Sequence, residues 1–308
     1  ARRGHAAEPF LPEFARQRSL CMHQLRWDPG ALARSPVTIV LATRGHPDRL
    51  SRCIASLQAT VNWLHSRLVI VDGGPADVAG PVELSDFDHP RGTLLIRLGG
   101  ASNEEKPAFV RLFNEGAAGV DTPLVLFIRD DVEAREPGWL EDMAGWISVP
   151  GVGIVGPKLI RRDGTLAEAG IAFARDSRLP VPLFAGLPAS EPGFGLLPHA
   201  ARNVTAVGDA CMLTHLSLHR GLGGFTEGAA RLAFPEVDFC LRAGEAGQRT
   251  VFTPQATLLH HESERGKGPP DEESLNAFKE RHPARTELFL SGHLHQVGPQ
   301  LIPGSNPP

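Results

Sequence analysis

Short, uninterrupted hydrophobic runs alternate along the first half of the chain with segments in which apolar residues recur every three or four positions. The runs lie at 37–43, 68–71, 94–98 and 124–128. A run without polar alternation is typical of a strand that is covered on both faces, as in a parallel sheet. The intervening segments, at about 47–59 and 109–116, carry the spacing of amphipathic helices. Strands that alternate with helices predict an α/β fold with a mostly parallel sheet and right-handed crossovers.

Beyond residue 131 the hydrophobic pattern is looser and the predicted elements are shorter. The predicted helices lie at Trp139–Ile147 and from Pro235 to a glycine cap near Gly247, and the predicted strands at 151–155, at 158–160 and on both sides of Pro254. Residues 174–203 are rich in Pro, Gly and Ala and have no periodicity. This segment therefore predicts a long loop of the kind that often covers a binding site.

Irregular segments flank the patterned part of the chain. Residues 1–35 indicate an N-terminal extension with a short helix within 13–25, and residues 263–308 indicate a C-terminal extension. The last residues, GPQLIPGSNPP, predict a disordered tail by their composition. The first residue is Ala rather than Met, so we expect this chain to be a module of a larger protein.

Composition limits the classes of protein to be considered. The chain has 308 residues, of which 42% are hydrophobic, so it can bury the core of one large domain. The net charge of −4 provides no basic surface for nucleic acid, and no apolar run approaches the ~20 residues that span a bilayer. Four scattered cysteines without a CxxC pair indicate reduced thiols and a cytoplasmic location. Peripheral association with the inner face of the membrane is compatible with that location.

Two adjacent carboxylates, Asp130 and Asp131, follow the hydrophobic run at 124–128. In open α/β sheets ligands bind in the crevice at the carboxyl ends of the strands, which is where these acids fall. Adjacent acids repel each other unless a cation or hydrogen bonds offset their charge. The pair therefore predicts a divalent metal site that also holds a phosphate. A solvated Asp-Asp turn is an equally good explanation of this segment taken alone.

Nine segments, in order along the chain, resemble the family-2 glycosyltransferases, and in particular the rhamnosyltransferase-like domains of bacterial polysaccharide assembly. The segments are VTIVLATR, LVIVDGG, LFIRDDV, WL, VGIVGPKLIRRDGTLAEAGI, VGDACML, LGGF, EVDFCLR and TPQATLLHHES, over about residues 36–266. The resemblance implies a GT-A type nucleotide-diphospho-sugar transferase fold, with a mostly parallel central sheet and helices on both faces. It also implies a domain at 36–262, with a nucleotide-binding half at 36–131 and an acceptor half at 132–262.

The activity implied by the resemblance is metal-dependent transfer of a sugar, with inversion, from a UDP- or dTDP-linked donor to a hydroxyl of a glycan or lipid-linked acceptor. A departing diphosphate needs its charge neutralised, and a hard cation such as Mn²⁺ or Mg²⁺ does this as a Lewis acid. The matched positions make Asp131 and His260 metal ligands and place Asp130 beside the ribose or the metal. For His260 and its neighbour His261, a polar strand end is the alternative. Arg129, where related domains often have Asn, is a candidate phosphate contact.

The general base that accepts the proton of the acceptor hydroxyl should lie at the start of the helix in PEVDFCLR. By resemblance Glu236 occupies the base position, where Asp is usual in the family. Asp238 is the alternative base. A carboxylate in the first turn of a helix also stabilises the helix dipole, so capping is a second explanation of Asp238.

Further donor contacts are implied by the same matched segments. Asp72 corresponds to the acid that binds the nucleotide base, and Thr43 and Arg44 to the first loop that lines it. The remaining candidates are Asn114, on a helix that faces the nucleotide, Asp209, in the loop under the sugar, and Arg265, a contact of the diphosphate. For Asp72 the following glycines equally indicate a plain turn, and for Asn114 a surface position.

Two other classes of function remain open at this point. The unusual residues Arg129 and Glu236 are compatible with a degenerate domain that binds a sugar nucleotide or a glycan without turnover. A nucleotidyltransferase also combines an α/β sheet with paired acids on a metal. That class needs a basic, glycine-rich phosphate loop near the first strand, for which TRGHPDR is a poor match.

Overall fold

The computed structural model describes residues 7–17, 22–28, 30–75, 85, 90, 92–98, 108–174, 177–227, 232–261, 270–283, 289, 294–297 and 300–303. The strands are β1 Ala7–Phe10, β2 Gln24–Trp27, β3 Val37–Thr43, β4 Ser66–Asp72, β5 Leu94–Arg97, β6 Leu124–Arg129, β7 Val132–Ala134, β8 Val152–Ile160, β9 Leu166–Glu168, β10 Ile171–Phe173, β11 Pro180–Pro182, β12 Arg202–Val204, β13 Cys211–His215, β14 Arg249–His260, β15 Leu294–Val297 and β16 Gln300–Pro303. The helices are α1 Glu13–Gln17, α2 Ala31–Arg34, α3 Pro47–Thr60, α4 Phe109–Ala118, α5 Trp139–Ile147, α6 Leu216–Gly221, α7 Pro235–Glu245 and α8 Glu272–Arg281, with a 3₁₀ segment at Phe194–His199.

In the described part of the chain, ten strands form one central sheet. Its main path is β12-β14-β8-β13-β6-β3-β4-β5, with β7 paired to β14 and β9 paired to β8. Strands β6, β3, β4 and β5 are mutually parallel, and β14 is parallel to β8. Strand β13 runs antiparallel between β6 and β8 and joins the two parallel groups. The predicted α/β fold with a mostly parallel sheet is therefore confirmed.

Two hydrophobic layers cover the two faces of this sheet. Val40 belongs to one layer, together with residues of α4, while Ile39 and Leu41 belong to the other, together with residues of α3 and α5. Side chains that alternate between two buried faces explain why β3 has no polar alternation. A Cβ on Gly116 would lie 2.3 Å from Cγ1 of Val40, so this glycine lets α4 approach the sheet closely.

The N-terminal segment matches its prediction in part. The short helix expected within 13–25 is α1, Glu13–Gln17, but residues 24–27 form β2, which pairs with β1. The reason is tertiary packing: the ring of Trp27 lies edge-on to Trp146, with centroids 5.2 Å apart. A Cβ on Gly145 would lie 2.0 Å from Trp27, so the indole fills the space that this glycine leaves on α5.

The second half contains more regular structure than its sequence indicates. Strand β8 is continuous, and β14 runs through Pro254 because an irregularity in its pairing, between Thr253 and Thr257, accommodates the proline. The predicted loop at 174–203 is irregular over most of its described residues, but it also contains β11, the 3₁₀ segment and the start of β12. The predicted disordered tail was wrong in part, because β16 pairs with β15 in an antiparallel hairpin. No helix in the described ranges is long and apolar enough to cross a membrane.

Candidate active site

The carboxyl ends of three neighbouring parallel strands bring the first group of predicted site residues to one edge of the sheet. Thr43 ends β3, Asp72 ends β4, and Asp130 follows β6. The hydroxyl of Thr43 donates a hydrogen bond of 2.5 Å to Oδ2 of Asp130, and both residues are buried. The parallel register thus places the two predicted nucleotide contacts within hydrogen-bond distance of each other.

The predicted base-binding acid, Asp72, also stabilises the turn that follows it. Its Oδ1 accepts a hydrogen bond of 2.8 Å from the backbone N–H of Gly74. A Cβ on Gly74 would lie 2.4 Å from Cα of Gly45, so the loops after β3 and β4 touch at these two glycines. The turn explanation is therefore shown, and nucleotide binding by Asp72 stays a prediction. Nearby, the guanidinium of Arg44 lies 5.4 Å from the ring centroid of Phe109.

Arg129 is buried at the centre of the acidic cluster. Its Nη2 donates a 2.8 Å hydrogen bond to Oδ2 of Asp131, and its Nη1 lies 3.4 Å from Oδ1 of Asp209. The guanidinium stacks 4.3 Å from the centroid of Phe109. Burial works against the charged form, but the carboxylates of Asp209, Asp131 and Asp130 outweigh it and raise the pKa of Arg129. Arg129 therefore offsets the mutual repulsion of the adjacent acids from within the protein.

His260 approaches the same cluster from the end of β14. Its Nε2 lies 3.6 Å from Oδ1 of Asp131, and this buried nitrogen makes no hydrogen bond within the described ranges. The next residue, His261, is directed elsewhere, because its Nε2 lies 2.7 Å from Oε1 of Glu133. The structure thus distinguishes the two histidines, which the sequence alone does not.

The donor atoms of Asp131 and His260 fit a divalent cation. A buried imidazole nitrogen without a hydrogen bond, next to a carboxylate oxygen, is an arrangement that suits shared coordination of Mn²⁺ or Mg²⁺. Among the described residues, no group of three or more His, Cys, Asp or Glu side chains could hold a metal. Two protein ligands are sufficient where substrate phosphates and water supply the others.

Glu236 faces a pocket of about 400 Å³ that opens beside this cluster. The helix α7 begins at Pro235, and Phe234 before it has a left-handed backbone with φ of 56°. The polar residues that line the pocket are Arg129, Glu168, Asp209, Glu236 and His260. Burial and, after it, the nearby carboxylate of Asp209 raise the pKa of Glu236 to about 8.

Asp238, the alternative base, does not line this pocket and belongs to a different cluster. Its carboxylate accepts hydrogen bonds from Thr226, Arg242 and His282 at 2.7–2.8 Å, and Arg281 lies 2.7 Å away. Burial raises the pKa of Asp238, but the hydrogen bonds and the charge of Arg242 outweigh it and lower the pKa to about 2. Asp238 therefore ties α7 to α8, and a role for it as base stays the weaker prediction.

Asn114 and Arg265 are the two remaining predicted donor contacts. The amide of Asn114 donates to the backbone oxygen of Phe225 and accepts from its N–H, both at 2.9 Å, so it fixes the loop after α6. Binding of a nucleotide by Asn114 stays a prediction. Arg265 lies outside the described residues.

Sequence reasoning missed two residues of the site, Glu168 and Phe109. The carboxylate of Glu168 accepts a 2.8 Å hydrogen bond from the N–H of Gly208 and thereby positions the loop that carries Asp209. The signal was present, because Glu168 is a single acid within a strand that is otherwise apolar. Phe109 gave no such signal, because its helical spacing explains it fully as a core residue.

Comparison with known proteins adds sequence relatives. No protein-family model matches the chain. It is 30% identical over 74% of its length to the uncharacterized protein y4gI of Sinorhizobium fredii, 28% identical over 85% to the O-antigen biosynthesis protein RfbC of Myxococcus xanthus, and 31% identical over 75% to the pre-mycofactocin glycosyltransferase of Mycobacterium tuberculosis. These matches span only 24%, 20% and 44% of the respective relatives, so the chain corresponds to less than half of each.

Comparison with solved structures identifies a shared architecture. The crystal structure of GalNAc-T7 with UDP, GalNAc and Mn²⁺ superposes with a TM-score of 0.58. The match covers 81% of this chain and 48% of GalNAc-T7, at 14% sequence identity. At this identity the likeness concerns the fold.

Proposed function

We propose that this chain, which belongs to the family-2 glycosyltransferases and has their GT-A fold, transfers a sugar from a nucleoside-diphosphate donor to a hydroxyl group. The acceptor in this proposal is a glycan or a lipid-linked glycan, and the anomeric configuration is inverted. One observation carries the proposal. A carboxyl group of raised pKa, Glu236, and the charged side chains of Arg129, Asp209 and His260 line one pocket at the carboxyl end of the sheet.

The nucleotide end of the donor would lie where β3, β4 and β6 end. Asp72 would bind the base, since one of its oxygens fixes the VDGG turn and so holds the carboxylate in place. Thr43 would orient Asp130 toward the ribose through their 2.5 Å hydrogen bond. Arg44, which lies over Phe109, would line the same loop.

The diphosphate would lie against Arg129, Asp131 and His260. Arg129 is fixed by two carboxylates and an aromatic ring, so its charge is preorganised and costs little reorganisation when a phosphate binds. When bound by Asp131 and His260, a Mn²⁺ or Mg²⁺ ion would act as a Lewis acid that stabilises the departing diphosphate. Asp209, half-buried at the pocket, would contact hydroxyls of the sugar.

Glu236 would take the proton of the acceptor hydroxyl. A general base works best when its pKa is close to the working pH, and burial beside Asp209 raises the pKa of Glu236 into that range. Its position at the pocket supports this role, whereas Asp238 is fully engaged by Thr226 and α8. One positioned base and a single in-line displacement give inversion, by the same logic as in inverting glycosidases.

The experiment begins with a thermal-shift screen of nucleoside diphosphates and their sugars, with and without Mn²⁺, because a ligand of the folded state raises the melting temperature. Release of nucleoside diphosphate with the best donor, and sugar incorporation into acceptor glycans, would then be measured for wild type and Glu236→Gln. We expect donor affinity to persist in this variant and transfer to fall by roughly 10²–10⁴-fold. Glu245→Gln, an exposed acid at the other end of α7, is the matched control and should transfer normally.

A second candidate function is binding of a sugar nucleotide without turnover. The ion pair between Arg129 and Asp131 favours it, because this pair engages one oxygen of the proposed metal ligand. Donor binding without transfer, hydrolysis or Mn²⁺ dependence in wild type would support this alternative. Equal transfer by wild type and Glu236→Gln would remove Glu236 from the mechanism and leave Asp238 as the candidate base on α7.

The three described cysteines, Cys53, Cys211 and Cys240, are free and buried, as expected for thiols in a reducing compartment. This observation supports the proposal that the enzyme acts in the cytoplasm, where a donor nucleotide would be available to it.

A further inference from the structure

Lys158 is a buried ammonium group that the proposed reaction does not use. It lies on β8, is 6% exposed, and makes no hydrogen bond or ion pair with any described residue. Burial lowers the pKa of Lys158 to about 8, so the side chain remains largely charged at neutral pH. A buried charge without a partner is costly, and it points to a ligand that would supply the opposite charge.

Lys158 lines a second pocket, of about 340 Å³. None of its lining residues lines the pocket of Glu236, although Lys158 and Leu159, which line the two pockets separately, are consecutive. Trp139 forms part of the wall, and Pro12 and Gln24 of the N-terminal segment contribute to it. The N-terminal segment therefore completes a cavity against β8 and β14.

Two amide side chains add hydrogen-bond donors beside the ammonium group. Gln24 donates to the backbone oxygen of His199 at 2.6 Å, and Gln255 donates to the side-chain oxygen of Gln24. Each amide NH₂ group has two donor hydrogens, so one on each glutamine remains for a ligand. Glu136, exposed at the same pocket, makes no ion pair with Lys158, and its negative charge disfavours a ligand of high charge.

We propose that this pocket is a binding site for a small anionic molecule, whose carboxylate or phosphate group pairs with Lys158 and accepts hydrogen bonds from Gln24 and Gln255. The cavity has room for a molecule the size of a small organic acid or a sugar acid. The site is separate from the donor pocket, so its occupancy does not depend on the proposed transfer reaction.

The chain is well suited to a direct test because it contains only four lysines, Lys106, Lys158, Lys267 and Lys279. The 308-residue chain labelled with ¹³C at the lysine ε carbons should give four NMR signals, which Lys→Arg variants at the other three positions would assign. Sodium acetate and inorganic phosphate would be titrated separately against sodium chloride of equal ionic strength. We expect at least one of the two anions to shift the Lys158 signal saturably, with a dissociation constant on the order of 1 mM. The arm that saturates identifies the preferred group.

Variants provide the second line of evidence. Lys158→Met should abolish the thermal stabilisation that the same anion gives to wild type, whereas Lys279→Met, on the surface helix α8, should retain it. If Lys158→Met does not fold, the titration of wild type decides alone. A Lys158 signal that moves no more than that of Lys279, or that moves equally with chloride, would overturn the proposal, as would undiminished stabilisation of a folded Lys158→Met variant.

Discussion

The guanidinium of Arg129 and the carboxylate of Asp131 form a 2.8 Å ion pair in which both side chains are almost completely buried. The pair lies at the end of β6, where the sequence predicts two adjacent acids whose repulsion a cation or hydrogen bonds would offset. Arg129 supplies part of that compensation permanently. Removing either partner of a buried pair leaves an uncompensated charge, so this relationship couples the proposed metal site to the stability of the fold.

Asp131→Asn should abolish metal-dependent donor binding and also destabilise the protein. Arg129 would keep Asp209 as a partner, so the expected loss in the free energy of unfolding is about 3 kcal/mol, the lower end for a broken buried pair. Calorimetry of UDP and dTDP with and without Mn²⁺, together with urea denaturation, would measure both effects. Asp121→Asn breaks the exposed pair with Arg67 and should cost no more than ~1 kcal/mol. Unchanged Mn²⁺ dependence in Asp131→Asn would refute the ligand assignment.

His260→Ala should raise the Mn²⁺ concentration needed for half-maximal transfer more than it lowers the rate at saturating Mn²⁺. Water can replace a lost nitrogen ligand, but it binds the metal less tightly. Titration of transfer rate against Mn²⁺ would test this expectation. His261→Ala is the control, because the imidazole of His261 bonds Glu133 rather than the carboxylate of Asp131. A shifted metal requirement in His261→Ala alone would exchange the roles of the two histidines.

Glu236→Gln should stabilise the protein at high pH. The folded-state pKa of about 8 lies above the ordinary value of 4.5, so the folded state binds more protons than the unfolded state between these values. The contribution of Glu236 to the free energy of unfolding is therefore fully present below its unfolded-state pKa of 4.5 and declines as the pH rises through about 8. Denaturation at pH 9 should show Glu236→Gln more stable than wild type by about 2 kcal/mol, less than the full shift in pKa corresponds to, because Glu236 is only half-buried and solvent screens its charge. The difference should vanish near pH 4. A constant difference at all pH values would contradict the raised pKa.

Asp238→Asn should lower the free energy of unfolding at neutral pH but have little effect in strong acid. The pKa of Asp238 is lowered to about 2 in the folded state. The contribution of this carboxylate to the free energy of unfolding is therefore fully present above its unfolded-state pKa, near 3.8, and is lost as the pH falls toward 2. At pH 7 the variant should lose ~3 kcal/mol, because Arg242 would lose its buried partner. Urea denaturation between pH 7 and pH 2 would show the two proteins converging in acid. Glu280→Gln, an exposed acid on α8, should behave as wild type.

The elements that could be predicted from the sequence are those whose hydrophobic pattern is visible within a few residues. Val37–Thr43 and Trp139–Ile147 were predicted with the observed bounds, because burial on two faces and helical spacing are both visible within a few residues. Strand β2 was not predicted, because the partners that hold Trp27 in place, Gly145 and Trp146, are distant in sequence. Such contacts override local propensity and leave no local trace.

The same contrast between local pattern and long-range contacts applies to the candidate site. The strand-end position of Asp130 and Asp131 could be derived from one segment, and the structure brings Glu236 and His260 to the same pocket. The ion pairs of Arg129 and the network of Asp238 could not be derived, because each depends on which side chains the folded chain places within 4 Å.

The attachment of α8 to Asp238 bears on how short a fragment of this protein can be and still retain the proposed activity. A fragment that stops after the last central strand would retain the pocket residues through His260 but would lack Arg281 and His282. Asp238 would then carry a buried charge with fewer partners, on the helix that presents Glu236. Loss of activity on such truncation would therefore come from displacement of the proposed base rather than from a missing pocket residue, and we expect the minimal expression unit to extend at least through residue 282.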